Sequence, residues 1–274
     1  MIALVDGAPA TEVPVADRGF GYGDGVFEVL LAEGRRVRAL DMHLARLARS
    51  AALLGIEPGR HLAGARADVA RLVGAASGRT YLRVVLTRGD GLGLDPPPAP
   101  SRRVVLAAPA VAGGPSALRA ITAHGHPSPV PTAKTLSRAG HVVHRLRARA
   151  AGADEAIIVE DGLAREATAA NLLAVVDGVL RAPLDRALAG ITREIVLRLA
   201  RASGMRVDEG DLPEVDLRRA SEVIVTSTMR GVVPLSGLDD RLLAGVEGAA
   251  GRALLRAYAD GLADHMAEVH ETTS

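Results

Sequence analysis

From Gly19 to Gly25 every second residue of the chain is glycine, and an alternating apolar run follows at once: Gly19-Phe20-Gly21-Tyr22-Gly23-Asp24-Gly25-Val26-Phe27-Glu28-Val29-Leu30-Leu31. Each glycine costs a helix interior about 1 kcal/mol relative to alanine, so this segment must be a turn that feeds a strand. Gly34-Arg35-Arg36 then reads as a hairpin turn into a second strand at 37–40. Helical spacing takes over next. Leu44, Leu47, Ala51 and Leu54 share one face of a helix expected over 42–54 with Asp41 as its cap, and a second helix is expected over 61–76.

Further strands are expected at 2–5, 80–87, 103–108, 118–122, 155–159, 171–176, 179–181 and 223–226, with an extended piece near 12–14. Asp177-Gly178 marks a hairpin. Helices are expected over 135–150, 192–203 and 242–266, a Gly- and Pro-rich loop over 88–102, and fraying in the last residues. Gly113-Gly114-Pro115 and the prolines at 127, 129 and 131 bound the best linker. Strand and helix signals mix without a regular βα period. The expectation is an α+β chain: a small N-terminal domain over 1–112, a linker over 113–131 and a larger C-terminal domain over 132–274.

Cysteine is absent, which excludes disulfides and thiolate chemistry and fits a cytoplasmic location. The net charge of +1 gives no reason to expect a nucleic acid or membrane partner. No apolar run is long enough to span a bilayer, and no signal peptide is expected at the N-terminus. Of the 33 basic residues only one is lysine, Lys134. Arginine cannot lose its proton and attack a carbonyl, whereas a desolvated lysine amine can.

Other segments carry possible chemistry. The aromatics Phe20, Tyr22 and Phe27 lie among the glycines and either fill a small core or wall a ligand. Arg46 sits near the apolar face of its helix and either snorkels to solvent or holds a phosphate. Ala189-Gly190-Ile191-Thr192 opens a helix whose free N–H groups could take an anion, with Thr226-Ser227-Thr228 as a second source of hydroxyls. Glu166 is either a solvated edge residue or a buried carboxylate that needs a partner. His141 and His144 stand three apart without an acidic cluster, so no metal site is expected. Together, an amine, a phosphate cradle and a carboxylate are the parts of pyridoxal phosphate chemistry, the carboxylate keeping a pyridinium protonated.

The ordered motifs resemble those of the class IV aminotransferases, the pyridoxal phosphate enzymes of fold type IV. The resemblance covers about 5–235 and rests on Asp17-Arg18-Gly19 through Tyr22-Gly23-Asp24-Gly25-Val26-Phe27-Glu28, on His43-Leu44-Ala45-Arg46-Leu47 and on Ala133-Lys134-Thr135-Leu136. It continues with Gly152-Ala153-Asp154-Glu155-Ala156, Glu166 followed by Asn171, Leu188-Ala189-Gly190-Ile191-Thr192-Arg193, and Thr226-Ser227-Thr228 with Pro234. The resemblance implies that Lys134 holds the cofactor covalently and that Glu166 partners its ring nitrogen. It implies that Arg46, Ile191, Thr192 and Thr228 bind its phosphate and that Leu188 packs on its ring. It also implies a homodimer with active sites at domain and subunit interfaces.

Within the family, Asp17 through Val29 is most similar to the D-amino-acid transaminases. Their Arg-x-His carboxylate trap is missing after Thr87-Arg88-Gly89, where Asp90-Gly91-Leu92-Gly93-Leu94-Asp95-Pro96 follows. Lys134-Thr135-Leu136-Ser137-Arg138 and Glu166-Ala167-Thr168-Ala169-Ala170-Asn171-Leu172 resemble aminodeoxychorismate lyases instead, but Val29 replaces a frequent threonine of those lyases. The expected activity is transfer of an amino group between an amino acid, of D configuration or broad scope, and a 2-keto acid. The alternatives are the lyase reaction, which forms 4-aminobenzoate and pyruvate, and a non-enzymatic pyridoxal phosphate-binding protein. Phe27, Val29, Arg88, Arg138, Met229 and Arg230 are the expected substrate-pocket residues. Arg138, Arg230, Arg35 and Arg36 are the candidate carboxylate donors.

Overall fold

The computed structural model describes residues 1–95, 99–111 and 113–270. The chain divides into two compact units, one formed by 1–112, 133–137 and 265–274, the other by 113–132 and 138–264. The expected fraying end, 271–274, lies outside the described residues.

The first unit contains strands β1 (Ile2–Val5), β2 (Ala8–Pro9), β3 (Gly25–Glu33), β4 (Arg36–Arg38), β5 (Arg79–Thr87) and β6 (Arg102–Pro109), with helices α1 (Arg18–Tyr22), α2 (Leu40–Leu53) and α3 (Gly59–Gly74). A short C-terminal strand, Met266–Glu268, completes a seven-stranded sheet at the free side of β4, in the order Met266–Glu268, β4, β3, β5, β6, β1, β2. All of its pairings are antiparallel. Side chains alternate across a strand. Val26 and Leu30 of β3 and Leu82 and Val84 of β5 enter a core with Leu44 and Leu47 of α2.

Three local expectations are corrected here. The glycine-rich turn contains a short helix, α1, because Asp17 accepts from the Gly19 N–H and caps it. Asp41 is not the cap of α2: Ala39, at φ 46°, is the N-cap residue, and Asp41 lies in the first turn. Residues 135–138 are not helical. Phe27 N–H donates to the Lys134 carbonyl, Leu136 N–H donates to the Gly25 carbonyl, and Val26 bridges Thr135. These bonds hold the lysine segment beside β3, and helix resumes only at Ala139.

The second unit contains β7 (Leu118–His124), α4 (Ala139–Ala150), β8 (Glu155–Glu160), β9 (Leu163–Ala167), β10 (Asn171–Val176), β11 (Val179–Pro183), α5 (Ile191–Ala202), β12 (Val207–Gly210), α6 (Glu214–Arg219), β13 (Glu222–Ser227), β14 (Gly231–Leu238), β15 (Arg241–Leu242) and α7 (Ala249–Gly261). The sheet runs β12-β11-β10-β13-β14-β7-β8-β9, and a pairing of Asn171 with Glu166 joins β9 back to β10. Six strands thus form a closed path around a core that includes Leu118, Ile157, Leu172 and Val225.

Within the stretch read as a linker, the strand expected at 118–122 is present as β7. β7 pairs in parallel with both β8 and β14, so its backbone is consumed by the sheet. The long helix expected over 242–266 begins only at Ala249, where the Glu222 carboxylate accepts from the Ala250 and Gly251 N–H groups. Asp177-Gly178 forms the expected hairpin turn, and Asp161-Gly162 forms a second one between β8 and β9; all four residues have positive φ.

Candidate active site

In the first unit the chemistry gathers around β3. Its even-numbered side chains face α2. Glu28 is wholly buried there, and both of its oxygens are engaged by Arg46: Nε donates to Oε1 and Nη2 to Oε2, each at 2.7 Å. His43 lies 2.7 Å from Oε2 through Nδ1. Burial pushes the Glu28 carboxyl up, but the hydrogen bonds and charges of Arg46 and His43 outweigh it and hold the group at about 2. Burial holds His43 below its usual range. An ionised carboxylate only accepts, so the neutral imidazole carries its proton on Nδ1. Glu28 therefore fixes Arg46 in one orientation as a bidentate pair.

The opposite face of β3 carries Phe27 and Val29. The Lys134 Nζ stands over the Phe27 ring at 4.7 Å from its centroid, and the Arg83 guanidinium carbon at 4.2 Å. Arg83 lies on β5 directly opposite Val29. The Lys134 backbone is pinned as well, its N–H donating to Ser50 Oγ at 3.1 Å. The first unit thus brings together three of the expected residues, Phe27, Val29 and Lys134, and adds Arg83. Arg83 was missed because an arginine in a β-branched strand reads as a surface position. Its register with Val29 was the available signal. Arg88 is placed elsewhere: its guanidinium donates to Asp24 and to the Leu54 and Gly55 carbonyls, so it ties a loop to the end of α2.

In the second unit the site is built around Leu188. The Leu188 N–H donates to Glu166 Oε2 at 3.1 Å, and its carbonyl accepts from Asn171 Nδ2 at 2.7 Å. Glu166 and Asn171 are register partners across β9 and β10, so the sheet itself sets the spacing of this clamp. Two residues on, Gly190 is the N-cap of α5. Its φ of −77° suits any residue, so no unusual turn is needed there. Glycine is required for space: a Cβ would lie 1.7 Å from Asn171 Oδ1.

No side chain caps α5, and its first residues, Ile191 and Thr192, are buried. A helix start of this kind presents N–H groups and a positive dipole end. Thr226, opposite Asn171 on β13, has a buried hydroxyl with no hydrogen-bond partner among the described residues. Thr228 and Met229 follow in the turn before β14, where the exposed Arg230 donates its N–H to Ser227 Oγ. Arg138 donates to the Thr168 carbonyl at 2.8 Å. An uncapped helix start, a hydroxyl-rich turn and a half-buried carboxylate fit a ligand with a phosphate and a basic ring nitrogen.

Comparison with known proteins agrees with this chemistry. Residues 25–238 match the family model for amino-transferase class IV. A Methanocaldococcus jannaschii protein provisionally assigned as a branched-chain-amino-acid aminotransferase is 35% identical over 246 residues, covering 85% of this chain and 84% of its own. The D-alanine aminotransferase of Bacillus licheniformis is 32% identical over 244 residues, 84% of each. Among solved structures, the 4-amino-4-deoxychorismate lyase of Pseudomonas aeruginosa superposes with a TM-score of 0.84 at 31% identity, covering 95% of this chain and 99% of that one. The T.th. branched-chain amino acid aminotransferase with pyridoxamine 5'-phosphate reaches 0.87 at 27% identity, covering 98% of both.

Proposed function

The chain belongs to the class IV aminotransferases, and from that premise we propose that it is a transaminase that moves the amino group of an α-amino acid to a 2-keto acid. It is an enzyme of fold type IV, and its cofactor is pyridoxal phosphate. When bound, the cofactor supplies an aldehyde that takes up amines and a ring that accepts electrons from the reacting carbon.

The chain's own residues do the rest. Lys134 holds the cofactor covalently and, once released, acts as the base that takes the proton from the substrate Cα. Arg46, set by Glu28, is assigned to the phosphate, and so are Ile191 and Thr192 at the start of α5, and Thr228. Glu166 pairs with the ring nitrogen, and Leu188 packs on the ring.

The observation that carries the substrate class is the pairing of Arg83 and Lys134 against the Phe27 ring. It offers a carboxylate binder close to the reacting amine. Arg83 takes the role for which Arg138, Arg230, Arg35 and Arg36 were candidates. D-amino acids fall within the donor range, which the Asp17-to-Val29 segment and the likeness to a D-alanine aminotransferase support. A cytoplasmic homodimer belongs to the same reading, supported by the family resemblance and a sequence without cysteine.

The test is single-turnover mixing of the holoenzyme with D-alanine, D-glutamate and L-leucine, followed by keto acid release. The second reading is the lyase, favoured by the likeness to the Pseudomonas aeruginosa enzyme. If no amino acid reacts while aminodeoxychorismate yields 4-aminobenzoate and pyruvate, the lyase replaces the transaminase.

A further inference from the structure

The second unit buries a histidine that the chemistry above does not use. His141 lies in the first turn of α4, is 4% exposed, and neither ring nitrogen has a hydrogen-bond partner among the described residues. Its Nε2 stands 3.5 Å from Glu166 Oε1, the oxygen that the Leu188 N–H leaves open. A buried imidazole without a partner is costly, and a small change in aim would give it one.

We infer that His141 is a positioning residue that holds Glu166, its Nε2–H donating to Oε1 while the Leu188 N–H donates to Oε2. A donor at each oxygen fixes the orientation of the carboxylate, and a fixed Glu166 gives the ring nitrogen assigned to it a constant hydrogen-bond acceptor. Loss of the imidazole donor frees Oε1 of Glu166 to turn away and weakens the support it gives the ring nitrogen's proton. His144, also buried, lies one turn along α4, and its ring packs within 3.6 Å of the position a Cβ would take at Gly125. It is therefore the control residue on the same helix. The inference rests on the assignment of Glu166 to the cofactor's ring nitrogen.

The experiment compares wild type, His141→Leu, His141→Gln, His144→Gln and Glu166→Gln. Two quantities are read: the 15N shift of ring-labelled pyridoxal phosphate, and the ratio of affinities for pyridoxal phosphate and its 1-deaza analogue, whose ring CH cannot be protonated. His141→Leu is expected to move the shift toward unprotonated pyridine and to narrow the affinity ratio about tenfold. His141→Gln, which keeps an N–H near the Nε2 position, is expected to restore both, and His144→Gln to change neither. His141→Met replaces the leucine variant if that one does not fold. Wild-type values in the apolar variant, with both readouts moved in Glu166→Gln, would overturn the role of His141 alone. Wild-type values in Glu166→Gln as well would overturn the Glu166 assignment, and the inference with it.

Discussion

Arg46 donates through Nε and Nη2 to the two oxygens of Glu28, at 2.7 Å each, with the carboxylate wholly buried. The pair holds Arg46, the proposed phosphate binder, rigid before any ligand arrives. It also makes Glu28 a source of acid sensitivity. Its carboxyl is held at about 2 against an ordinary 4.5, so this contribution is fully present above pH 4.5 and is lost as pH falls through about 2. The shift corresponds to ~3 kcal/mol. Glu28→Gln should cost about 3 kcal/mol at neutral pH, because Arg46 keeps a buried charge without its counter-charge. It should also flatten the acid side of the stability profile. Urea unfolding at pH 7 and pH 3 measures both, and an unchanged slope in the variant would refute the assignment.

If Lys134 has its proposed roles of anchoring the cofactor and moving the proton, Lys134→Ala should lose turnover by about a thousandfold or more. Because Lys134 is the sole lysine, borohydride treatment of the wild type should place the reduced cofactor on one internal peptide. Mass spectrometry that finds it on the N-terminal amine instead would move the site.

Arg83→Leu should raise KM for amino acids by roughly 10- to 100-fold, the worth of one charge-assisted hydrogen bond, with a smaller effect on kcat. Amines without a carboxylate should be indifferent to the change. Steady-state kinetics on one amino acid and one simple amine decide it; an equal loss on both substrates would point to a packing role on Phe27.

Gly190→Ala should weaken cofactor retention, because its new methyl group collides with the Asn171 amide. Asn171→Ala should weaken it by another route, releasing the Leu188 carbonyl. The double variant should lose less than the two single losses combined, with a coupling of about 1 kcal/mol or more. Equilibrium dialysis of pyridoxal phosphate on all four proteins gives the cycle, and strict additivity would mean that the two residues act apart.

How far the sequence alone could reach depended on whether a signal was local. The Asp177-Gly178 hairpin and helices with regular apolar spacing were legible. β9 was not read as a strand, although Asp161-Gly162 carries the same turn signal as Asp177-Gly178. Glu166 therefore looked like an isolated carboxylate, when it is a register partner of Asn171. The Lys134 segment precedes a helix in sequence, and its bonds to Gly25, Phe27 and Ser50 draw it into an extended form. Arg83 is visible only once β3 and β5 are in register. Gly190 is legible as part of a helix start, but the need for glycine there is steric and shows only once Asn171 is in place.

The C-terminal strand, Met266–Glu268, pairs with Arg36–Arg38 across more than two hundred intervening residues. During synthesis that strand leaves the ribosome more than two hundred residues after β4. Until then β4 offers an unpaired edge, and the sheet that carries Lys134's neighbours is one strand short. A nascent chain must therefore keep this edge from pairing with another chain while the residues in between are made, and a product stalled before Met266 would leave it permanently open.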